Sequence, residues 1–200
     1  MSSDIIAYKI RNTLYLNLTN RCTARCTFCH RLDDPTVKGY NLRLEAEPSA
    51  KELIQEVGDP TRYGEVVFCG YGEPTLRLEV IKEVARAVKM KGGQVRLNTN
   101  GHGNLIHKRN ILPDLAGLVD AISVSLNAQG PEKYLAICRP AYGPKTYDAV
   151  LTFIREAKKY IPEVTVSVVD LPTIDINACE RIARGELAVG FRLRELDAIG

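Results

Sequence analysis

Three cysteines within eight residues form the pattern with the clearest chemical potential. Cys22, Cys26 and Cys29 lie in the segment NRCTARCTFCHR, with the spacing C-x3-C-x2-C. Thiolates at this spacing can close on one metal centre. Structural zinc usually takes four protein ligands, commonly from paired C-x2-C motifs, and no second pair lies nearby. Iron–sulfur clusters accept thiolates readily, and three thiolates on a four-iron cluster leave one iron open to a non-protein ligand.

Two other interpretations of the triplet stay open. A zinc site could recruit His30, which adjoins Cys29, or one of the distant cysteines. The three thiols could also carry no metal. A disulfide framework is the weaker interpretation of the six cysteines, because the amino terminus lacks the basic and apolar regions of a signal peptide.

Composition excludes several classes of protein. In 200 residues, 45% are hydrophobic and 26% charged, which is enough apolar material for a core and predicts one globular domain over residues 1–200. No apolar run approaches the roughly 20 residues of a membrane-spanning helix, so no membrane role is expected. The net charge of +3 comes without long runs of like charge, and no nucleic-acid partner is expected. The expected location is the cytoplasm.

Strand-like and helix-like segments alternate along the chain. Short runs rich in β-branched and aromatic residues predict strands at 13–19, 65–70, 94–100, 121–127, 163–171 and 190–196. Longer amphipathic runs predict helices at 49–57, 78–91, 105–115, 146–160 and 176–188, the first opening with a capping box from Ser49 to Glu52. This alternation is typical of an α/β fold built from right-handed parallel βαβ units.

Most predicted strands alternate between an apolar and a polar face. Leu14, Leu16 and Leu18 alternate with Tyr15, Asn17 and Thr19, and the later strands follow the same period of two. Helices can cover the apolar faces, while the polar faces need water or a polar ligand. The pattern therefore favours an open six-stranded β/α barrel around a polar cavity. The alternative is a flat, doubly wound sheet with polar strand ends.

The motifs resemble a known family. C-x3-C-x2-C after the first strand, with Phe28 before the last cysteine, resembles the radical SAM superfamily, whose domain is an open partial (β/α)6 TIM-like barrel. The segments YLNLTNRCTARCTFCHR, FCGYGEPTLR, LNTNGHGNL and SVSLNAQGPEKYLAICRP more narrowly resemble the TatD-family-associated radical SAM proteins. The triplet follows a predicted strand, and the carboxyl ends of strands are where β/α folds place their chemistry.

The resemblance implies a 4Fe-4S cluster held by Cys22, Cys26 and Cys29, with S-adenosylmethionine on the fourth iron. One electron would break a carbon–sulfur bond, and the resulting 5′-deoxyadenosyl radical would take hydrogen from an unidentified small-molecule or protein substrate. The electron donor would be a protein such as flavodoxin or ferredoxin. The second interpretation, from a different functional class, is a non-catalytic iron–sulfur or zinc module.

The resemblance also assigns residues to S-adenosylmethionine. Gly72 and Glu73 lie in a segment that holds the methionine amino group, although Tyr71 stands where the family has a glycine. Asn98 and Asn100 would face the ribose, an interpretation that competes with a simple Asn-Gly turn. The remaining candidate contacts, each of which could instead serve packing or ordinary hydrogen bonding, are Phe28 at adenine, the backbone near His30, Ser123, Ser125, Asn127, and Arg139 at the cavity mouth.

Arginines on the predicted inner faces suggest an anionic ligand. Arg96, Arg192 and Arg194 could hold a carboxylate or phosphate of the substrate or of S-adenosylmethionine. The alternative is pairing with Glu73, Glu195 or Asp170. Four further predictions concern isolated residues. Cys69 could face the cavity or simply pack, Cys138 could donate hydrogen or sense redox state but more readily packs, and Cys179 in the last predicted helix is expected in the core. His102 is a candidate acid or base, but a surface position is expected for it.

Overall fold

The computed structural model describes residues 4–29 and 34–196. Its main sheet has seven strands in the order β1-β2-β5-β6-β7-β8-β9, and all neighbours except β1 and β2 run parallel. The strands are β1 Ala7–Ile10, β2 Thr13–Leu16, β5 Glu65–Phe68, β6 Val95–Thr99, β7 Ala121–Ser125, β8 Glu163–Val169 and β9 Gly190–Arg194. A separate hairpin consists of β3 Thr36–Val37 and β4 Tyr40–Asn41.

Seven α-helices connect the described strands. They are α1 Ala50–Val57, α2 Leu78–Met90, α3 Gly103–His107, α4 Leu112–Leu115, α5 Pro131–Cys138, α6 Thr146–Ala157 and α7 Ile176–Arg181. Ser49 caps α1, and its capping box with Glu52 is present as the sequence predicts. Short 3-10 turns at Pro60–Arg62 and Pro74–Arg77 and a π-turn at Ile182–Glu186 complete the helical segments.

One face of the sheet packs against the helices. Leu14, Leu16 and Leu18, with the apolar residues of the later strands, join the inner faces of α1, α2 and α6 in one large core. This agrees with the predicted alternation, because each apolar set has its helix partner. No β9–β1 pairing closes the sheet within the described chain, so the six predicted strands form a partial barrel, as expected, rather than a closed one.

The opposite face of the sheet is polar only in part. Tyr15 and Val67 point to this side and pack with Tyr8, Val37 and Leu42 in a second hydrophobic cluster. The hairpin therefore covers the inner face of β2 and β5. The expectation of a polar inner face holds for β6, β7 and β8. It is wrong at Tyr15 on β2, where packing against the hairpin takes the place of a polar ligand.

Several elements depart from the predicted pattern. The antiparallel β1 and the β3–β4 hairpin add to the six predicted strands, and α5 occupies a segment without a predicted helix. The predicted helix at 105–115 is two short helices, since Lys108 adopts a left-handed φ of 52° and ends α3. No helix in the described part of the chain is long and apolar enough to cross a membrane.

Candidate active site

One cavity opens at the carboxyl ends of the parallel strands. It brings together residues from the cysteine segment, from the loop after β5, and from strands β6 to β9. Of the candidates, the lining includes Cys22, Cys26, Phe28, Cys29, Gly72, Glu73, Asn98, Asn100, Ser123, Ser125, Asn127, Arg192 and Arg194. His30 lies outside the described residues. The cavity therefore gathers most of the sequence candidates at the end of the sheet where β/α folds place their chemistry.

Backbone hydrogen bonds fix the cysteine segment against the carboxyl end of α5. The amide of Arg25 donates to the Cys138 carbonyl at 3.0 Å, and the amide of Thr27 donates to the Ile137 carbonyl at 2.8 Å. From the other side, the amide of Ala141 donates to the Thr23 carbonyl at 2.9 Å. The segment is thus held as a strand-like edge beside 137–141. Sequence reasoning missed this role of α5, whose only signal was Gly130-Pro131 at its start.

The donor set and its placement fit an iron–sulfur cluster. Cys22, Cys26 and Cys29 are reduced cysteines, partly exposed, that line the same cavity. The described residues contain no group of three His, Cys, Asp or Glu side chains arranged around a single metal ion. A cluster spreads its thiolate ligands over different iron atoms, so its ligands share a cavity without meeting at one point. These three residues would hold the cluster and leave one iron for another ligand.

Glu73 is buried at the side of this cavity, with only 2% of its surface exposed. Its Oε1 atom accepts hydrogen bonds from the Thr75 amide at 3.1 Å, the Thr75 hydroxyl at 2.6 Å and the Thr99 hydroxyl at 2.7 Å. Its Oε2 atom accepts one, from the Asn100 amide at 2.8 Å. Burial raises the pKa of Glu73, while these donors act in the opposite direction. Oε2 therefore retains acceptor capacity toward a cation.

Two glycines let the loop after β5 approach the first strand closely. A Cβ atom at Gly70 would overlap the Asn17 side chain, and one at Gly72 would overlap the Arg21 carbonyl oxygen. Asn17 in turn accepts from the Tyr71 amide at 3.1 Å. Only glycine fits at 70 and 72, whereas the intervening position carries Tyr71 and lines the cavity.

Asn100 connects the third predicted strand with the cysteine segment. Its Nδ2 atom donates to Thr23 Oγ1 at 3.1 Å and lies 3.8 Å from Cys22 Sγ. The Nδ1 atom of His102 lies 2.7 Å from Thr23 Oγ1, and its Nε2 atom lies 2.7 Å from the Tyr134 hydroxyl. His102 is fully buried, so the prediction of a surface histidine is wrong: the ring is held between two hydroxyl groups.

Asn98 and Cys69 meet on neighbouring strands. Cys69 lines the cavity, as its position opposite Val66 and Phe68 predicts. Burial raises the pKa of the Cys69 thiol, and a hydrogen bond from Asn98 opposes this effect. The Oδ1 atom of Asn98 is buried without a partner among the described residues. It is therefore a free acceptor for a ligand in the cavity.

The fourth predicted strand contributes residues of two kinds. Ser123 and Ser125 line the cavity, and Ser125 Oγ lies 3.5 Å from Ser167 Oγ on β8. Asn127 has a left-handed φ of 57° and accepts from the Val169 amide through Oδ1 at 3.2 Å. Asn127 therefore joins the ends of two strands as well as lining the cavity.

The four candidate arginines separate into two groups. Arg192 and Arg194 line the cavity. Arg96 does not, because its Nη2 atom bonds to Glu65 Oε1 at 2.6 Å near the start of the strands. Arg139 is exposed and outside the cavity lining. Its left-handed φ of 44° ends α5, so the feature of Arg139 that serves the site is its backbone, not its guanidinium.

The remaining cysteines also differ in position. Cys138 is buried, and its thiol forms a hydrogen bond with Cys26. This hydrogen bond and burial both raise the pKa of Cys138. Cys179 is fully buried in the main core, as predicted for a late helix.

The chain belongs to the radical SAM superfamily, because the sequence model described as "Radical SAM superfamily" matches residues 16–184. This family uses a 4Fe-4S cluster and S-adenosylmethionine. Among relatives, the chain is 30% identical over 158 residues to the "Probable GTP 3′,8-cyclase" of Thermococcus kodakarensis, covering 78% of this chain and 46% of the relative. It is 33% identical over 147 residues to the protein of the same name from Saccharolobus solfataricus, covering 72% and 42%.

Solved structures agree on the fold. The Streptococcus suis protein SuiB, bound to precursor peptide SuiA, superposes with a TM-score of 0.70 at 14% identity, over 95% of this chain and 40% of SuiB. A structure described as "Native anSMEcpe with bound AdoMet" superposes with a TM-score of 0.67 at 17% identity, over 91% and 50%. At these identities the likeness establishes the partial barrel alone. The chain spans less than half the length of the two cyclases it matches.

Proposed function

We propose that this chain is a radical SAM enzyme that cleaves S-adenosylmethionine reductively and removes hydrogen from a bound substrate. One observation carries the proposal: the cysteine triplet shares a cavity with Glu73, Asn98 and Asn100 at the carboxyl ends of the strands. When bound, the cluster and S-adenosylmethionine supply the electron and the radical. The protein supplies position, charge and exclusion of water.

The residues of the cavity suit the parts of S-adenosylmethionine. Glu73 Oε2 keeps acceptor capacity beside the cysteine segment, which suits the amino group of methionine. Asn98 Oδ1 is an unused acceptor that suits a ribose hydroxyl or a substrate donor. Phe28 offers an apolar surface for adenine. Ser123 and Ser125 offer hydroxyl groups on the opposite wall, toward the methionine carboxylate or the substrate.

The subgroup and the cellular setting form the finer part of the proposal. The segments FCGYGEPTLR and LNTNGHGNL support placement with the TatD-family-associated proteins. We propose that residues 1–200 form one domain, that a flavodoxin or ferredoxin supplies the electron, and that the reaction takes place in the cytoplasm. The Arg192 and Arg194 wall supports an anionic substrate.

Release of 5′-deoxyadenosine tests the proposed reaction. The protein would be reconstituted with iron and sulfide without oxygen, reduced with dithionite and supplied with S-adenosylmethionine. We expect 5′-deoxyadenosine from the unaltered chain and none from the Cys26→Ala variant. An iron-loaded, coloured protein that releases none would instead favour the non-catalytic iron–sulfur module.

Isotope transfer identifies the substrate. Deuterated candidates would be added to the same reaction, and 5′-deoxyadenosine would be examined for deuterium by mass spectrometry. GTP is the first candidate because two relatives carry the name GTP 3′,8-cyclase. Peptides are the second, because SuiB was solved with its precursor peptide. Transfer of label from one candidate assigns the substrate class directly.

A further inference from the structure

We infer that Arg194, with Ser125 and Asn98, forms a subsite for an anionic group of the substrate, either a carboxylate or a phosphate. The same substrate carries a hydrogen-bond donor close to that group. The inference rests on the proposed function only in calling this ligand the substrate. The subsite spans strands β6 to β9 in the cavity, with Asn98 on β6, Ser125 on β7 and Arg194 on β9. It extends the proposed function by stating which chemical class of substrate the cavity accepts.

Arg194 is a cavity arginine without a carboxylate partner in the described chain. Its Nη2 atom lies 3.5 Å from Ser125 Oγ, at the outer limit of a hydrogen bond. Its Nε atom is buried and has no acceptor. Arg96 also has a buried Nε atom without an acceptor, but its guanidinium bonds to Glu65 at 2.6 Å, and that of Arg77 bonds to Glu47 at 2.9 Å. Arg194 differs from these two arginines because its guanidinium has no carboxylate partner among the described residues.

A guanidinium in this position calls for an anion. Burial lowers the pKa of Arg194, which means that the surroundings disfavour its charge. A buried charge without a partner is destabilising, and a planar fork of N–H donors matches the geometry of carboxylate and phosphate. A bound oxyanion would supply the missing acceptor for Nε.

Asn98 adds the second requirement on the ligand. Its amide nitrogen is committed to Cys69, and its Oδ1 atom remains buried without a donor. An apolar ligand would leave this acceptor unsatisfied, at a cost comparable to a lost hydrogen bond. A hydroxyl or amino group on the ligand satisfies it. The two unsatisfied atoms, one donor and one acceptor, thus describe a hydroxy acid, an amino acid or a phosphorylated compound with a free hydroxyl.

The placement on β9 assigns the subsite to the substrate. In sheet order β9 is four strands from β5, whose loop carries Glu73. Ser125, Ser167 and Arg192 lie in one register row across β7, β8 and β9, so Arg192 adds positive charge to the same wall. The groups suited to the amino end of S-adenosylmethionine and the cationic wall therefore belong to different parts of the sheet.

Thermal unfolding with inorganic phosphate tests the subsite. The reconstituted protein would be melted over a range of phosphate concentrations, with chloride keeping the ionic strength constant, and in a second series with acetate. Ligands that bind only the folded state raise the melting temperature in proportion to their occupancy. We would compare Arg194→Met, Arg194→Lys and the control Arg86→Met, which alters an exposed arginine on α2. Binding of S-adenosylmethionine would be measured for each.

We expect phosphate, acetate or both to raise the melting temperature of the unaltered protein and of Arg86→Met. In Arg194→Met the apparent dissociation constant should rise at least tenfold, with an intermediate value for Arg194→Lys, and S-adenosylmethionine should bind within twofold of normal. Without ligand, Arg194→Met should melt no lower than the unaltered protein, because it removes an unpaired buried charge.

Three results would overturn the subsite. In the first, neither anion stabilises the unaltered protein. In the second, the anions stabilise Arg194→Met equally. In the third, Arg194→Met loses S-adenosylmethionine, which would assign the guanidinium to that cofactor's carboxylate. Failure of the proposed function is separate: a protein that releases no 5′-deoxyadenosine but keeps an Arg194-dependent phosphate response has the subsite without the reaction.

Discussion

The Nδ1 atom of His102 lies 2.7 Å from Oγ1 of Thr23, between the first two cysteines of the triplet. Through its Nε2 atom, the same ring reaches the Tyr134 hydroxyl at 2.7 Å. Because α5 also holds the cysteine segment by its backbone, His102 joins the two supports of that segment. The ring is fully buried, and one nitrogen must donate while the other accepts.

His102 predicts a pH dependence of stability. Burial lowers the pKa of His102 to about 4 from its usual 6.5. Its contribution to stability is therefore fully present above pH 6.5 and is lost as the pH falls toward 4. This difference in pKa between the folded and unfolded states corresponds to roughly 3 kcal/mol of stability. Urea unfolding of the metal-free protein between pH 8 and pH 4 should show this decline, and the decline should be smaller in His102→Gln.

His107→Gln provides the control for that experiment. His107 bonds through Nε2 to the Thr75 carbonyl at 2.8 Å, in the 3-10 turn Pro74–Arg77. Its replacement removes this hydrogen bond, so the variant controls for the loss of a histidine hydrogen bond as such. Parallel curves for His102→Gln and the unaltered protein would contradict the role of His102.

Replacement of a single cysteine of the triplet should abolish metal loading. Cys22→Ala, Cys26→Ala and Cys29→Ala each remove one of three thiolates, and we expect iron after reconstitution to fall at least tenfold. Cys179→Ala is the matched control, since that thiol lies in the core away from the cavity. Iron and sulfide analysis measures the cluster content of each variant, and full loading of any triplet variant would exclude that cysteine as a ligand.

Gly72 should not tolerate even a methyl group. Its Cβ would overlap backbone carbonyl oxygens, which cannot rotate away, so we expect Gly72→Ala to lower the free energy of unfolding by about 1–3 kcal/mol. Gly185→Ala is the control, because no atom lies within 4 Å of its Cβ position. Chemical denaturation of both variants measures the difference, and equal stabilities would show that the loop shifts freely.

Thr99 should matter through Glu73. In Thr99→Val the carboxylate loses one donor, and the Gly101 amide loses its acceptor at 3.1 Å. We expect a loss of about 2 kcal/mol in unfolding free energy, because buried groups are left unpaired. Thr99→Ser keeps the hydroxyl and should recover most of it. A Thr99→Val variant as stable as Thr99→Ser would show that Glu73 does not depend on this bond.

The sequence predicted the parts of the fold that depend on regular periodicity. The alternation of Leu14, Leu16 and Leu18 is visible because helices cover one face of the sheet continuously. The carboxyl end of the first predicted strand indicated the position of the cysteine triplet, and the family resemblance added Glu73 and Asn98 to the same site. The β1 strand and the hairpin were missed because two to four residues carry too little pattern to register.

Predictions failed where a partner came from a distant segment. His102 has the sequence context of a surface loop, but Thr23 and Tyr134 enclose it across 79 and 32 residues. Arg96 has the sequence spacing of the residues that face the cavity, yet its guanidinium forms an ion pair with Glu65 on the neighbouring strand and does not line the cavity. Period identifies a face of a strand; it does not identify which end of the barrel a long side chain serves.

Among the residues that the structure describes, no strand pairs with the outer edge of β9, and Leu193 on this strand is 45% exposed. Within the described sheet, the strand that carries Arg192 and Arg194 pairs with β8 alone, whereas the cysteine segment and Glu73 form hydrogen bonds with several elements. Mutations can remodel this last strand without loosening the machinery at the opposite end. Ligand preference can therefore change through substitutions in β9 while the residues proposed to bind the cofactor stay the same.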